Sequence, residues 1–280
     1  MRNRIEEVVF KFLMKASAVI IVFSLLSILY TIVTKGLPSM SWDMVSKIPE
    51  GGFYIGKGGG ILNAIIGSLY VAGGATLLAL IVSIPIVLYI NVYLPKGSRL
   101  VNLVRSSFDI MFGVPSIVYG AFGFTLMIFL GLKTSVLAGI ITVAFLVVPI
   151  MVRTMDEVMR LVPRELNDAV YSLGATRWET SMVILRQVGP GILTAILLSF
   201  GRGIGDAACV LFTTGYTDNI PTSVSEPAAT LPLAIFFQLS SPIEEVQGRA
   251  YAAALILTII VLLISITSRI ISSKLSKHKI

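Results

Sequence analysis

Two oppositely charged residues lie close together inside a long apolar stretch of the chain. Arg202 and Asp206 both fall in the apolar run 190–214, with Arg202 about 12 residues into it. A charge at the centre of a bilayer costs about 2.5–3.5 kcal/mol, so such a residue must face protein or a water-filled path. The i, i+4 spacing predicts that the guanidinium and the carboxylate meet on one helical face.

The pair has two open interpretations. In the first, Arg202 attracts an oxyanion in transit while Asp206 competes for the guanidinium, which keeps the anion from binding too tightly to leave. In the second, the two charges only neutralise each other and fix the packing of helices.

An enzymatic alternative starts from the same residues, because 203–206 spell the Gly-x-Gly-Asp pattern of intramembrane aspartyl proteases. Those enzymes need two carboxylates that share a proton. The nearest second aspartate, Asp109, is predicted at the opposite membrane depth. A single histidine, His278, and a single cysteine, Cys209, leave no set of metal ligands. We therefore predict no enzyme activity and no metal site.

The most polar stretch, 152–189, carries five arginines and five acidic residues. It must face water or a partner. Gly174 predicts a helix end, and the spacing of Thr176 and Glu179 predicts a capping box that starts a second helix. Before the glycine, apolar residues recur at i, i+3, i+4 and i+7 on one predicted helical face: Leu166, Ala169, Val170 and Leu173.

A short amphipathic helix of this kind has three possible positions. It can lie on the lipid surface, pack against its own bundle, or insert into a groove on a partner. Periodicity alone does not choose among them.

The elements that hold these residues are membrane helices. Of 280 residues, 55% are hydrophobic and 13% are charged, whereas soluble domains average about 25% charged. Six apolar runs are long enough to cross a bilayer. The predicted fold class is therefore all-α, a single transmembrane domain over 1–280 with spans near 17–34, 66–94, 111–131, 133–151, 190–214 and 250–271.

The distribution of positive charge predicts the orientation. If both termini are cytoplasmic, the inner segments are 1–16, 95–110, 152–189 and 272–280, and with Arg269 they hold 16 of the 22 lysines and arginines. This satisfies the positive-inside rule. The net charge of +7 is thus explained by membrane orientation, and we predict no nucleic-acid partner.

The segment ELNDAVYSLGATRW at 165–178 resembles the EAA loop of ABC importer permeases. Gly174 stands at the expected distance, while Asp168 and Val170 replace the usual glutamate and alanine. Other motifs resemble one branch of that family, the phosphate importer permeases of the PstA type. They are GGILNAIIGS at 59–68, GVPSIVYG at 113–120, VPIMVRT at 148–154, GRGIGDA at 201–207, LFT at 211–213 and AATLP at 228–232.

The resemblance implies a type I ABC importer (MetI-like) fold in a cell membrane, with a cytoplasmic coupling helix that docks on an ATPase subunit. It implies four partners besides lipid: a homologous permease, a pair of ABC ATPase subunits and an extracytoplasmic phosphate-binding protein. ATP and Mg²⁺ would be bound by the ATPase, with no cofactor in this chain. The implied pathway residues are Arg202 and Asp206, and the implied coupling residues are Glu165, Asp168, Ala169, Val170 and Gly174.

Two alternatives to phosphate import stay open at this point. Another oxyanion, such as molybdate, tungstate or sulfate, fits the same chemistry. A channel or secondary transporter also suits a buried arginine and aspartate, but it would give the polar loop no purpose and should show inverted repeats.

Overall fold

The computed structural model of the chain describes residues 2–50, 58–95 and 97–276. Within these ranges the regular structure is almost entirely helical, with ten α-helices and a π-helical segment at Tyr89–Tyr93. The helices are α1 (Arg2–Gly36), α2 (Trp42–Ser46), α3 (Leu62–Leu88), α4 (Arg99–Phe112), α5 (Ser116–Phe129), α6 (Val136–Arg160), α7 (Arg164–Ser172), α8 (Arg177–Ile204), α9 (Leu231–Leu239) and α10 (Glu244–Ser276).

Five helices in the described ranges are long and apolar enough to cross a membrane. They are α1, α3 with the π segment, α6, α8 and α10. Helices α4 and α5 pass the same test only together, as a pair bent by 100°. Counted as one broken span, they give the sixth crossing, which confirms the all-helical fold with five or six spans.

The third predicted span, 111–131, differs from the structure, because the chain turns sharply between α4 and α5. Proline at 115 has no N–H to donate and disfavours helical geometry at the residue before it. Its own backbone is extended, at φ −58° and ψ 140°, and α5 begins at the next residue.

The fifth predicted span, 190–214, is also too long, since α8 ends at Ile204 and the following residues form turns. The turns remain buried: Cys209, Thr213 and Thr214 are each fully covered by protein. Non-helical backbone is tolerated at membrane depth where protein covers it.

A later part of the connection between α8 and α9 closes one end of α6. The first N–H groups of a helix have no partner within the helix. Here the N–H groups of Val136 and Leu137 donate to the carbonyl oxygens of Glu226 and Val224 at 2.8 Å. We call this the loop end of the bundle. The opposite end, about 37 Å along the 25 residues of α6, leads into α7 and is called the α7 end.

Small residues allow the central helices to approach closely. Helices α3 and α6 form the middle of the bundle, where Ala75, Ala79, Val143 and Val147 are fully buried. At Gly67 of α3 a side-chain Cβ would overlap the carbonyl oxygen of Ala229. The missing side chain therefore sets the distance between α3 and the segment that precedes α9.

Replacing Gly67 by alanine should destabilise the fold by about 1–3 kcal/mol, the usual cost of overpacking. Gly73 lies on the same helix with open space at its Cβ position. The matched variant Gly73→Ala should leave stability unchanged or raise it by up to about 1 kcal/mol, because alanine is the better helix former. Melting of the two purified variants would show this difference; equal melting temperatures would contradict the close approach.

Candidate transport and coupling sites

The structure brings Arg202 and Asp206 together, as the sequence predicts. The Arg202 Nη2 atom lies 3.2 Å from Asp206 Oδ2. The geometry differs from prediction in one respect: Arg202 is in the last turn of α8, and Asp206 follows the helix, after its C-cap residue Gly205. The arginine thus also lies near the negative end of the α8 dipole, which favours a cation.

The two partners are buried to very different degrees. The Asp206 side chain is 4% exposed, whereas that of Arg202 is 50% exposed. Asp206 is also held from the other side, because its Oδ1 accepts the backbone N–H of Cys209 at 2.8 Å. The carboxylate is therefore fixed, while much of the five-donor guanidinium is open to an incoming acceptor.

The pair lies within the apolar part of the bundle. Gly203, next to Arg202, faces Val143 and Val147 of α6. These valines are 7 and 11 residues into α6, about 10–17 Å from its start at the loop end. A half-exposed arginine at this level needs water, an anion or a partner protein beside it.

The second carboxylate of an aspartyl protease is not beside Asp206. Asp109 lies instead within 3.4 Å of Arg153, at a more exposed position. Arg153 is six residues beyond Val147, so this ion pair lies roughly 9 Å further toward the α7 end. Each aspartate thus has its own arginine at its own level, and the two cannot share a proton.

The predicted coupling helix is α7. Its Glu165, Asp168 and Ala169 are exposed, and Val170 is partly buried. Leu173, at its C-cap, is 87% exposed. Of the apolar stripe predicted from the sequence, Ala169 and Leu173 are thus exposed, whereas Leu166 and Val170 are partly buried.

Gly174 ends α7 in the way its position predicts. Its backbone φ angle is +79°, a value that residues other than glycine rarely adopt. The N–H groups of Gly174 and Ala175 donate to the carbonyl oxygens of Tyr171 and Val170, which is the Schellman pattern. The chain then enters α8.

The start of α8 is a capping box, again as predicted. The Thr176 hydroxyl accepts the Glu179 N–H at 3.3 Å, and the Glu179 carboxylate accepts the Thr176 N–H at 2.7 Å. These reciprocal bonds satisfy two N–H groups that would otherwise lack partners at the start of α8.

Comparison with known proteins identifies the family. Residues 83–277 match the family described as binding-protein-dependent transport system inner membrane component. That segment contains α4 to α10, with both candidate sites. The chain belongs to this family. It is therefore a permease subunit of an ABC importer rather than an enzyme, and ATP hydrolysis belongs to a separate chain.

The permease is similar to proteins named phosphate transport system permease protein PstA. It is 34% identical to the one from Haemophilus influenzae over 91% of this chain and 89% of the relative. It is 36% identical to the one from Yersinia pestis over 91% and 86%. PstA 1 of Mycobacterium tuberculosis is 37% identical over 76% of this chain and 70% of the relative.

Solved structures support the MetI-like fold. The permease matches a chain of the inward-facing MetNI methionine ABC transporter with a TM-score of 0.61, at 18% identity, over 76% of this chain and 94% of that one. It also matches a chain of a bacterial ABC transporter that imports the acidic polysaccharide alginate, with a TM-score of 0.51, at 16% identity, over 93% and 96%.

One polar network of the permease was not predicted. The Arg105 guanidinium of α4 makes two bonds of 2.9 Å to the Asp156 carboxylate of α6. Asn91, in the π segment, donates to the same carboxylate at 2.8 Å and accepts from Arg105 at 3.2 Å. The sequence places Asp156 in a segment expected to face water or a partner, yet its side chain is only 8% exposed.

This network joins three elements at the α7 end. A bidentate, charge-assisted pair fixes orientation as well as distance. Asp156 is on the last two turns of α6, immediately before α7, so the network holds the end of α6 that leads into α7 against α4. Because its members are 51 and 65 residues apart in the chain, local sequence patterns could not reveal it.

Proposed function

We propose that this permease forms part of the membrane path of an ATP-driven importer for inorganic phosphate. The relatives that are 34–37% identical over most of this chain are named as phosphate transport permeases, which supports phosphate over other oxyanions. The observation that carries the proposal is a half-exposed arginine inside an apolar bundle.

Arg202 would supply the attraction for the anion. A guanidinium binds a phosphate group through planar, charge-assisted hydrogen bonds. Asp206, held by Cys209 and already bonded to the same guanidinium, would limit how tightly the anion binds, because a site must also release its ion. The proposed role of the pair is thus weak, reversible capture during alternating access.

Helix α7 would carry the mechanical signal. We place it in the cytoplasm, with both termini of the chain, since that orientation puts most arginines and lysines inside. Its exposed Ala169 and Leu173, with Glu165 and Asp168 beside them, would insert into a cleft of an ABC ATPase subunit. Gly174 and the capping box at Thr176 would transmit that subunit's movement to α8, which carries Arg202.

The proposed complex contains this chain as one transmembrane domain and three kinds of partner. A homologous permease would cover the exposed apolar faces, including α1, whose central residues are uncovered by this chain. Two ATPase subunits would bind ATP and Mg²⁺. An extracytoplasmic binding protein would deliver phosphate.

The proposal predicts which anion drives the complex. In vesicles with the purified complex, binding protein saturated with phosphate should raise ATP hydrolysis severalfold over the unloaded binding protein. Binding protein incubated with sulfate, molybdate or tungstate serves as the matched control and should leave the basal rate unchanged. Stimulation by one of those anions but not by phosphate would overturn the assignment of substrate.

A further inference from the structure

A cavity lies beside α7, between this helix and the ends of α4, α6 and α8. Its volume is about 280 Å³, room for a phosphate group and several waters, since a water occupies roughly 30 Å³. It lies at the α7 end and is distinct from the Arg202 site. Four helices and the π segment contribute its lining: Ile90, Asn91, Gly97, Val101, Arg105, Met159, Arg160, Val162, Asn167 and Ile184.

The cavity is electropositive. Among the described residues that line it, the two charged ones are Arg105 and Arg160, and none is acidic. Arg105 is already hydrogen-bonded to Asp156, which does not line this cavity. Arg160 makes no hydrogen bond or ion pair with any described residue. The acidic residues of this region, Asp109, Asp156 and Glu157, line an adjoining cavity of about 110 Å³, which shares Arg105 and Arg160 with the larger one.

The coupling helix contributes an unsatisfied polar group to this cavity. The Asn167 Oδ1 atom is buried and has no hydrogen-bond partner among the described residues. Buried polar groups are almost always satisfied, so an unpaired atom beside a cavity leaves room for a water or a ligand to bind there. An amide can present either its oxygen or its NH₂ group after a simple flip, and the NH₂ group would donate to an anion.

We propose that this cavity is a binding site for a phosphate-bearing anion, held by Arg160 from α6, Arg105 from α4 and Asn167 from α7. The bound anion links α7, the proposed coupling helix, to α4 and α6. It therefore restrains α7 and adjusts how movement of α7 reaches the bundle. The site is separate from the transport path, and only the choice of inorganic phosphate as a probe rests on the proposed function.

Two sources can supply this chemistry. One is free phosphate in the compartment that α7 faces. The other is the headgroup of an anionic lipid, because several arginines cluster at this end of the bundle, where we place the cytoplasmic membrane surface. Free phosphate and a lipid headgroup present phosphate oxygens to the same donors. The experiment distinguishes the two ligands by changing the lipid composition.

The test measures hydrogen exchange in the complete complex, in nanodiscs of zwitterionic lipid, as inorganic phosphate is added. Peptides covering 97–108 and 159–168 should exchange severalfold more slowly at saturating phosphate. Arg160→Gln should raise the half-saturating concentration about tenfold, the effect of losing one charge-assisted hydrogen bond. Arg153→Gln removes the same charge two turns earlier on α6, outside this cavity, and should leave the concentration unchanged.

Anionic lipid provides the second arm. If it protects the same peptides without phosphate, and Arg160→Gln abolishes that protection, the site stands and its ligand is a lipid headgroup. Protection by neither ligand, or equal responses of the Arg160 and Arg153 variants, would overturn the proposal. Protection that persists in Arg202→Ala separates this site from the transport path, so failure of phosphate transport would leave it standing.

Discussion

Replacing Arg202 by alanine should reduce phosphate uptake by the assembled complex about a hundredfold. The variant loses charge-assisted hydrogen bonds worth up to about 3 kcal/mol, and each 1.4 kcal/mol corresponds to a factor of ten. It also leaves the buried Asp206 carboxylate to repel the anion. Uptake of labelled phosphate into vesicles that contain ATP measures the effect, and Arg202→Lys, which keeps the charge but not the planar fork, should retain part of the rate.

A second variant separates transport from packing. Arg202→Ala alone leaves a buried carboxylate without its partner, which can itself impair assembly. The double variant Arg202→Ala with Asp206→Asn removes both charges and should restore assembly, as judged by co-purification of the partner subunits. Uptake by this double variant should remain low; a normal rate would leave the pair with a packing role only.

Replacing Arg105 by alanine should lower the free energy of unfolding by about 3–5 kcal/mol. This is the usual cost of breaking a buried ion pair and leaving one charge behind. Among the described residues, Asp156 would keep only its hydrogen bond from Asn91. A denaturant titration of the purified permease, followed by an optical signal of helix content, measures the loss.

The appropriate control is another arginine of the same region. Arg153 pairs with Asp109 and Glu157 at 3.4 Å, but its side chain is 43% exposed. Arg153→Ala should cost less than about 1 kcal/mol, as exposed pairs do. Arg105→Ala combined with Asp156→Ala should be less unstable than Arg105→Ala alone; equal instability of the two would contradict the network.

The crossings of this chain are predictable because lipid imposes one requirement on every span. The backbone must satisfy its own hydrogen bonds, so a long apolar run becomes a helix. The positions of the prolines did not predict where a helix breaks. Pro85, Pro149 and Pro190 all lie inside continuous helices, whereas Pro115 separates two helices at 100°. The residue type alone therefore does not distinguish a proline that a helix accommodates from one at which the helix breaks.

The site features that depend on neighbouring residues were predictable, whereas the one that depends on tertiary structure was not. Gly174 and the Thr176–Glu179 capping box act within a few residues, so their spacing alone predicted the turn that the structure contains. Arg202 and Asp206 are also neighbours in the chain, and their pairing was predictable even though the helix ends between them. Asp156 and Arg105 meet only after three elements have folded, and so their burial could not be read from the sequence.

The most direct test of the account asks what covers Leu173. A cysteine at this position, with Cys209 changed to serine, should react with a membrane-impermeant thiol reagent in inside-out vesicles stripped of the ATPase. Adding back the purified ATPase subunit should reduce the labelling severalfold, because α7 then lies in its cleft. Labelling from the outer face of intact cells, or labelling that ignores the ATPase, would contradict the central claim that α7 is the cytoplasmic contact with a separate ATPase.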